Sequence, residues 1–288
     1  MHWHKVTIAA NASEAEHIEA LFWDHGALSV TLTDPADAPI YEPEPGTTPL
    51  WSALEICGLF EQECDVTSIV AEFETLGHVV NQVETLAERV WEREWLSQFQ
   101  PMSFGQRLWI VPTEFEVPET AEVAVRLDPG LAFGTGTHAT TALILAWMDG
   151  HDFNKRSVLD YGCGSGILAI AALLLGAEDC LAVDLDPQAI CATEDNALLN
   201  VVSDRLNAIL PAQFESKAYD VVLANILAEP IIGMAQQLTE CLAPEGILVL
   251  SGIMTSQQEM VEAHFRDDLQ FIDQFEREGW LCLVARRC

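Results

Sequence analysis

The sequence predicts an α/β protein, a doubly wound and mostly parallel sheet preceded by a small α+β domain. Three observations carry this. From about residue 101, short apolar runs of strand character alternate with longer helical ones. The first 86 residues follow a different order, strand, helix, strand, strand, helix, strand. A glycine triplet, Gly162-Cys163-Gly164-Ser165-Gly166, stands where one of the later strands gives way to a helix. The 288 residues suit two domains better than one, and with 50% of them hydrophobic there is material for two cores.

In order along the chain, His2–Ala9 is strand-like. Ser13–His25 places Ile18, Leu21 and Phe22 at helical spacing, with Gly26 positioned to end the helix. Leu28–Thr33 alternates apolar and hydroxyl residues, the pattern of a half-buried strand. Asp34–Pro49 carries five prolines in 16 residues and reads as an extended connection. Trp51–Phe60 is a further strand, Val66–Leu76 a helix with Val66, Ile69, Val70 and Phe73 on one face, and His78–Leu86 the last strand of the set. This βαββαβ order fits a ferredoxin-like unit over residues 1–86. Residues 87–100 read as a linker helix, its Trp91, Trp95 and Phe99 on one face for docking against a domain, and Pro101 ends it.

Beyond residue 101, Val158–Tyr161, Leu181–Asp184, Tyr219–Asn225 and Gly246–Ser251 are the strand-like runs. Ile167–Leu175, Gln188–Asn200, Ile231–Leu242 and Ser256–Phe265 are the helical ones. Leu269–Arg277 and Trp280–Arg286 are then two strands with no helix between them. A hairpin closing a parallel sheet is a feature of class I methyltransferases rather than of dinucleotide dehydrogenases. The fold expected for 101–288 is therefore a Rossmann-like class I methyltransferase sheet with an antiparallel C-terminal strand.

Charge excludes several functions. Thirteen Lys+Arg stand against 45 Asp+Glu, a net of −32, and the only lysines are Lys5, Lys155 and Lys217. Such a chain repels phosphate backbones and anionic membranes, so direct nucleic-acid and membrane binding are not expected. Residues 1–86 hold 15 acids and one cation, Lys5, for a net of −14, which suits either a solvated surface or a basic partner. The eight cysteines form no CxxC pair and no grouping with zinc-ligand spacing, so no metal is expected. The N-terminal stretch has no signal-peptide pattern and the longest apolar run is too short to span a bilayer, so a reduced cytoplasmic protein is expected.

Four segments carry chemistry. In Val158-Leu159-Asp160-Tyr161-Gly162-Cys163-Gly164-Ser165-Gly166 the spacing is GxGxG, with Asp160 two residues ahead and Ile167 where a dinucleotide fingerprint has its third glycine. That spacing resembles an S-adenosylmethionine pocket. Asp184 follows Gly164 by 20 residues at a strand end, where a carboxylate accepts the hydroxyls of a ribose. Asp186, ahead of Pro187, reads as a helix N-cap. Asn225 ends the strand Tyr219–Asn225, where amine methyltransferases carry an Asn or Asp that aims the target nitrogen, although Ile226-Leu227 stands in place of the usual prolines. Leu127–Thr141 packs glycines and threonines before a helix, with Phe133 as an apolar wall; His138 reads first as structural, with a direct chemical role as the lesser alternative.

The run Leu127–Thr141, the run Asp160–Ile170 and Asn225-Ile226-Leu227-Ala228 together resemble the ribosomal protein L eleven methyltransferase family, over nearly the whole chain. Trp91-Glu92-Arg93-Glu94-Trp95 and Gly105–Pro112 belong to the same likeness. The resemblance implies an S-adenosylmethionine-dependent enzyme that methylates lysine side-chain and N-terminal amines of a basic protein at the large-subunit stalk base, working as a monomer. It implies cofactor contacts at Thr141, Gly162, Asp184 and Asn225, joined here by Asp160, Gly164 and Phe133, and a catalytic role for Asn225. It implies that residues 1–86 recognise the substrate. Two departures stand out: Ala139 replaces a proline, and Glu114 replaces an aromatic residue and is assigned no role. A methyltransferase for another protein or a small-molecule amine, and a non-catalytic acidic docking module, are the competing readings.

Overall fold

The structure is a computed structural model that describes residues 2–36, 40, 47–87, 99–128 and 136–287. It divides into two compact units, residues 1–91 and 92–288.

The first unit has β1 (His2–Asn11), α1 (Ala15–Asp24), β2 (Ser29–Thr33), β3 (Ala53–Glu61), α2 (Val66–Thr75) and β4 (Val79–Ala87). Its strands form one sheet in the order β2-β3-β1-β4, all antiparallel, the arrangement of a ferredoxin-like fold. The alternation along β3 is decisive: Leu54, Ile56 and Phe60 are buried, while Glu55, Cys57 and Leu59 lie on the other face. The helices cover the buried face, where Phe22 meets Phe73 at 4.9 Å and Phe60 at 5.9 Å between ring centroids. Both helices end at glycines with positive φ, Gly26 and Gly77, as the pattern requires.

In the second unit, β5 (Met102–Phe104), β6 (Leu108–Pro112) and β7 (Val123–Leu127) make a three-stranded sheet, and α3 (Ala139–Asp149) follows. Then come β8 (Ser157–Tyr161), α4 (Ile167–Leu174), β9 (Asp179–Val183), α5 (Pro187–Leu199), β10 (Leu206–Ile209) and β11 (Tyr219–Asn225). The chain ends with α6 (Ala228–Gly233), α7 (Ala235–Glu240), β12 (Leu242–Met254), α8 (Gln258–Glu262), β13 (Leu269–Arg277) and β14 (Trp280–Arg287). The large sheet runs β10-β9-β8-β11-β12-β14-β13, parallel from β10 to β12, with β14 antiparallel to both β12 and β13. α4 is nearly all apolar because it is buried all round, between β7, β8, β9 and neighbouring helices.

Several expectations change. The helix expected over Ile231–Leu242 is two short helices broken at Met234, and Leu242 already belongs to β12. The helix expected over Ser256–Phe265 shrinks to a 3-10 turn, Thr255–Gln257, and the five residues of α8. The strand expected over Leu181–Asp184 starts at Asp179 and stops at Val183, which leaves Asp184 just beyond it. The strands of the small sheet and β10 carry no sequence signal, because they are three to five residues long and lack alternation. The linker-helix reading falls mostly outside the described residues; Phe99, its last aromatic, is buried in the core of the second unit. No helix among the described residues is long and apolar enough to cross a membrane.

The small sheet is tied to α3 by one buried carboxylate. Asp149 accepts hydrogen bonds from the backbone N–H groups of Gln106 (2.7 Å), Arg107 (2.9 Å) and Leu108 (2.8 Å), and the Arg107 guanidinium donates to the Asp149 carbonyl. Burial pushes this carboxyl up, but those three N–H groups and the Arg107 charge outweigh it, so its pKa lies below the ordinary value. A depressed carboxyl stabilises the fold above its unfolded pKa, near 3.9, and that contribution fades as pH falls through the folded value. Asp149→Asn is expected to cost on the order of 3 kcal/mol at pH 7. In denaturant titrations the gap between wild type and variant should narrow below about pH 4.

Candidate functional site

The strand order reverses direction at β8. From β8 the chain moves outward to β9 and β10, then returns to β11 on the other side. Ligands of open α/β sheets bind at such a switch point, beyond the C-terminal strand ends. Three of the singled-out side chains gather there: Asp160 in the last turn of pleat in β8, Asp184 just after β9, and Asn225 as the last residue of β11.

Between β8 and α4 the chain passes Gly162, Gly164 and Gly166 at φ of 84°, 54° and 77°. The Gly162 and Cys163 N–H groups both donate to the Val183 carbonyl, at 2.7 and 3.1 Å, which folds the turn back against β9. Gly162 is required for two reasons. Its φ is left-handed, and a Cβ there would stand 2.3 Å from Cγ2 of Ile226. Gly252 faces the same residue from β12, where a Cβ would stand 2.1 Å from the Ile226 carbonyl oxygen. Two glycines thus close around Ile226, which stands in place of a proline and directly follows Asn225.

The Asp184 carboxylate accepts from the Gly164 N–H (2.9 Å) and the Asp186 N–H (3.0 Å), which fixes its orientation toward the turn. Asp186 caps α5 by accepting from the Gln188 N–H at 2.9 Å, with Pro187 as first helical residue, as expected. Asp160 is fully buried. One of its oxygens accepts from the Ala169 N–H at 3.1 Å, and the other makes no hydrogen bond among the described residues. Burial, opposed by the Ala169 N–H and reinforced by the negative charge of Asp184, pushes the Asp160 carboxyl up to about 7. The Cys163 thiol is buried and its pKa is driven far up, so it is an inert part of the turn.

Asn225 donates from Nδ2 to the Thr141 hydroxyl at 3.0 Å. Thr141 is fully buried in the first turn of α3, so the threonine-rich stretch ends inside the helix rather than ahead of it. His138 caps that helix: its Nδ1 accepts from the Thr140 N–H at 3.4 Å and pairs with the Thr140 hydroxyl at 2.8 Å. Its ring packs edge-on to Trp280 at 5.2 Å. The structural reading of His138 therefore has geometry behind it. Phe133 lies outside the described residues, as do the glycines at 130 and 134. Among the described residues no group of three or more His, Cys, Asp or Glu could hold a metal ion.

With that geometry in place, the relatives are informative. The chain matches the family described as ribosomal protein L11 methyltransferase (PrmA) over residues 2–288. The chain belongs to the ribosomal protein L11 methyltransferase family. A family member from Pseudomonas aeruginosa is 48% identical over 291 residues, covering 100% of this chain and 99% of the relative. One from Marinobacter nauticus is 45% identical over 295 residues, covering 100% and 99% respectively. A crystal structure of a ribosomal protein L11 methylase from Lactobacillus delbrueckii subsp. bulgaricus superposes with a TM-score of 0.60 at 32% identity, covering 65% of this chain and 98% of that one. The family match spans both compact units.

Sequence reasoning does not single out Thr193 and Asn196 on α5 or its C-cap Asn200, whose side chains bond to the backbone of Gly164, Ser165, Asp128 and Arg126. Their spacing marks one helical face, but polar residues on a helix read by default as a solvated surface. Asp160 generates a prediction of its own. A carboxyl whose folded pKa is raised favours the folded state at pH below its unfolded pKa, near 3.9, and that advantage is lost as pH rises through the folded value. Without ligand, stability should therefore decline between about pH 4 and pH 7 through this group, and Asp160→Asn should flatten that decline. Thermal melts of both proteins across this range check it.

Proposed function

We propose that this protein transfers methyl groups from S-adenosylmethionine to lysine side-chain and N-terminal amines of ribosomal protein L11. The observation that carries the reading is the Thr141–Asn225 hydrogen bond, which fixes a carboxamide at the end of β11 beside the glycine turn. The residues fit the cofactor. When bound, S-adenosylmethionine supplies a methyl on a cationic sulfur, and two carboxylates, Asp160 and Asp184, lie at this end of the sheet. Asp184 uses two of its roughly four acceptor positions on backbone N–H groups and keeps the others for ribose hydroxyls. Gly162 and Gly164 leave the turn bare for close approach. One oxygen of buried Asp160 makes no hydrogen bond among the described residues.

Asn225 is the residue assigned to the chemistry. Its Nδ2 is committed to Thr141, which leaves Oδ1 to accept from the target N–H and to aim the nitrogen lone pair. Methyl transfer of this kind depends mainly on holding nitrogen, carbon and sulfur in line. A lysine with an ordinary pKa near 10.4 arrives protonated, and burial beside Asn225 favours its neutral form. We assign no side chain as general base; the proton passes to water.

Residues 1–86 recognise the substrate in this reading, their net charge of −14 facing a basic protein of the large-subunit stalk base. The same acidity argues against nucleic acid as a direct partner. The protein works as a monomer in the cytoplasm. Asn225→Ala should lower the turnover rate at least tenfold while changing S-adenosylmethionine affinity less; equal losses would reduce Asn225 to a cofactor contact. Labelled-methyl transfer to purified L11, alongside calorimetry, measures both. The KM for L11 should rise steeply between low and high salt, whereas an unchanged KM would leave the acidic face without a docking role.

A further inference from the structure

α5 carries a polar stripe on its buried side. Thr193, Asn196 and the C-cap residue Asn200 follow at spacings of three and four, so they lie along one side of the helix. Thr193 is fully buried and Asn196 is 3% exposed. Apolar side chains are what such a face ordinarily presents, because a buried amide is costly unless every group is satisfied. Here the groups are satisfied, and their partners belong to two separate segments.

On one side is the glycine turn. The Thr193 hydroxyl donates to the Gly164 carbonyl at 3.1 Å, and Asn196 Nδ2 donates to the Ser165 carbonyl at 3.0 Å. On the other side is the exit of β7. Asn196 Oδ1 accepts from the Asp128 N–H at 3.1 Å, Asn200 Oδ1 accepts from the Arg126 N–H at 2.7 Å, and Asn200 Nδ2 donates to the Arg126 carbonyl at 2.6 Å. β7 pairs with β6 on one edge only, so Asn200 serves Arg126 as a neighbouring strand residue would. One amide, Asn196, therefore bridges the glycine turn and the end of β7 directly.

We propose that this stripe is a positioning device: Thr193, Asn196 and Asn200 set the spacing between the glycine turn and the exit of β7, and that spacing determines the affinity for S-adenosylmethionine. The inference rests on the reading given under Proposed function. None of the three residues needs to touch the cofactor. Each holds backbone that does, or that leads to residues that do, and preorganised backbone binds with less ordering cost.

The test is calorimetric titration of the full chain with S-adenosylhomocysteine, beside denaturant unfolding. Asn196→Ala removes both links. Asn196→Asp keeps the acceptor for Asp128 but sets an oxygen against the Ser165 carbonyl, and it serves if the alanine variant does not fold. Asn200→Ala loosens β7 alone. Asp149→Asn, which loosens the entry of β6 at the end of the small sheet opposite the exit of β7 and bonds to none of the stripe's partners, controls for lost stability. The expected result is a Kd at least tenfold weaker for either Asn196 variant and about threefold weaker for Asn200→Ala. Asp149→Asn should bind within twofold of wild type, and the KM for L11 should stay within twofold throughout. Asn196 variants that bind within twofold of wild type, or no more weakly than Asp149→Asn, would overturn the proposal. A wild-type chain that takes up no S-adenosylhomocysteine would instead overturn the cofactor reading, and the stripe's role with it.

Discussion

Parallel pairing of β8 with β9 on one edge and β11 on the other is the constraint from which the site follows. It brings the ends of three strands to one side of the sheet, and each delivers one polar side chain there. The turn after β8 can lie against Val183 only because Gly162 takes a left-handed φ. The segment after β11 can cross above that turn only because Gly162 and Gly252 leave room for Ile226. A side chain at either glycine would move the backbone that presents Asn225.

The arrangement stores unfavourable electrostatics that the surrounding fold must hold. Asp160 and Asp184 are like charges near one turn, and half of the Asp160 carboxylate is buried without a partner. That is a poor choice for stability. Two sets of polar side chains fasten the opposite ends of the small sheet. Asp149 gathers three backbone N–H groups at the turn into β6, and Asn196 and Asn200 fasten the end of β7. Asp149 and Asn196 are buried and hydrogen-bonded, the condition under which polar groups rigidify rather than weaken a core.

Much of this was legible in the sequence. The βαββαβ order, the terminal hairpin, the glycine turn and the cap at Asp186 each rest on local patterns, namely periodicity, glycine placement, and Asp ahead of Pro. What escaped were features set by distant partners. β10 and the small sheet have strands too short for periodicity to mark. The segment at 231–242 carries helical periodicity, yet it breaks at Met234 and its end is drawn into β12 by pairing with β11. Asn196 and Asn200 look like surface polar residues until β7 and the glycine turn are placed beside them. His138 reads as structural from the sequence, and its cap on α3 is local, whereas its contact with Trp280 joins positions 142 residues apart.

The account stands on methyl transfer to amines of one ribosomal protein, and intact-protein mass spectrometry tests that most directly. Ribosomal proteins would be compared from cells with and without this gene. The account predicts that L11 alone becomes lighter, by a whole number of methyl groups, when the gene is removed, and that peptide mapping places the loss on lysine and N-terminal amines. An L11 mass that does not change between the two strains would contradict it.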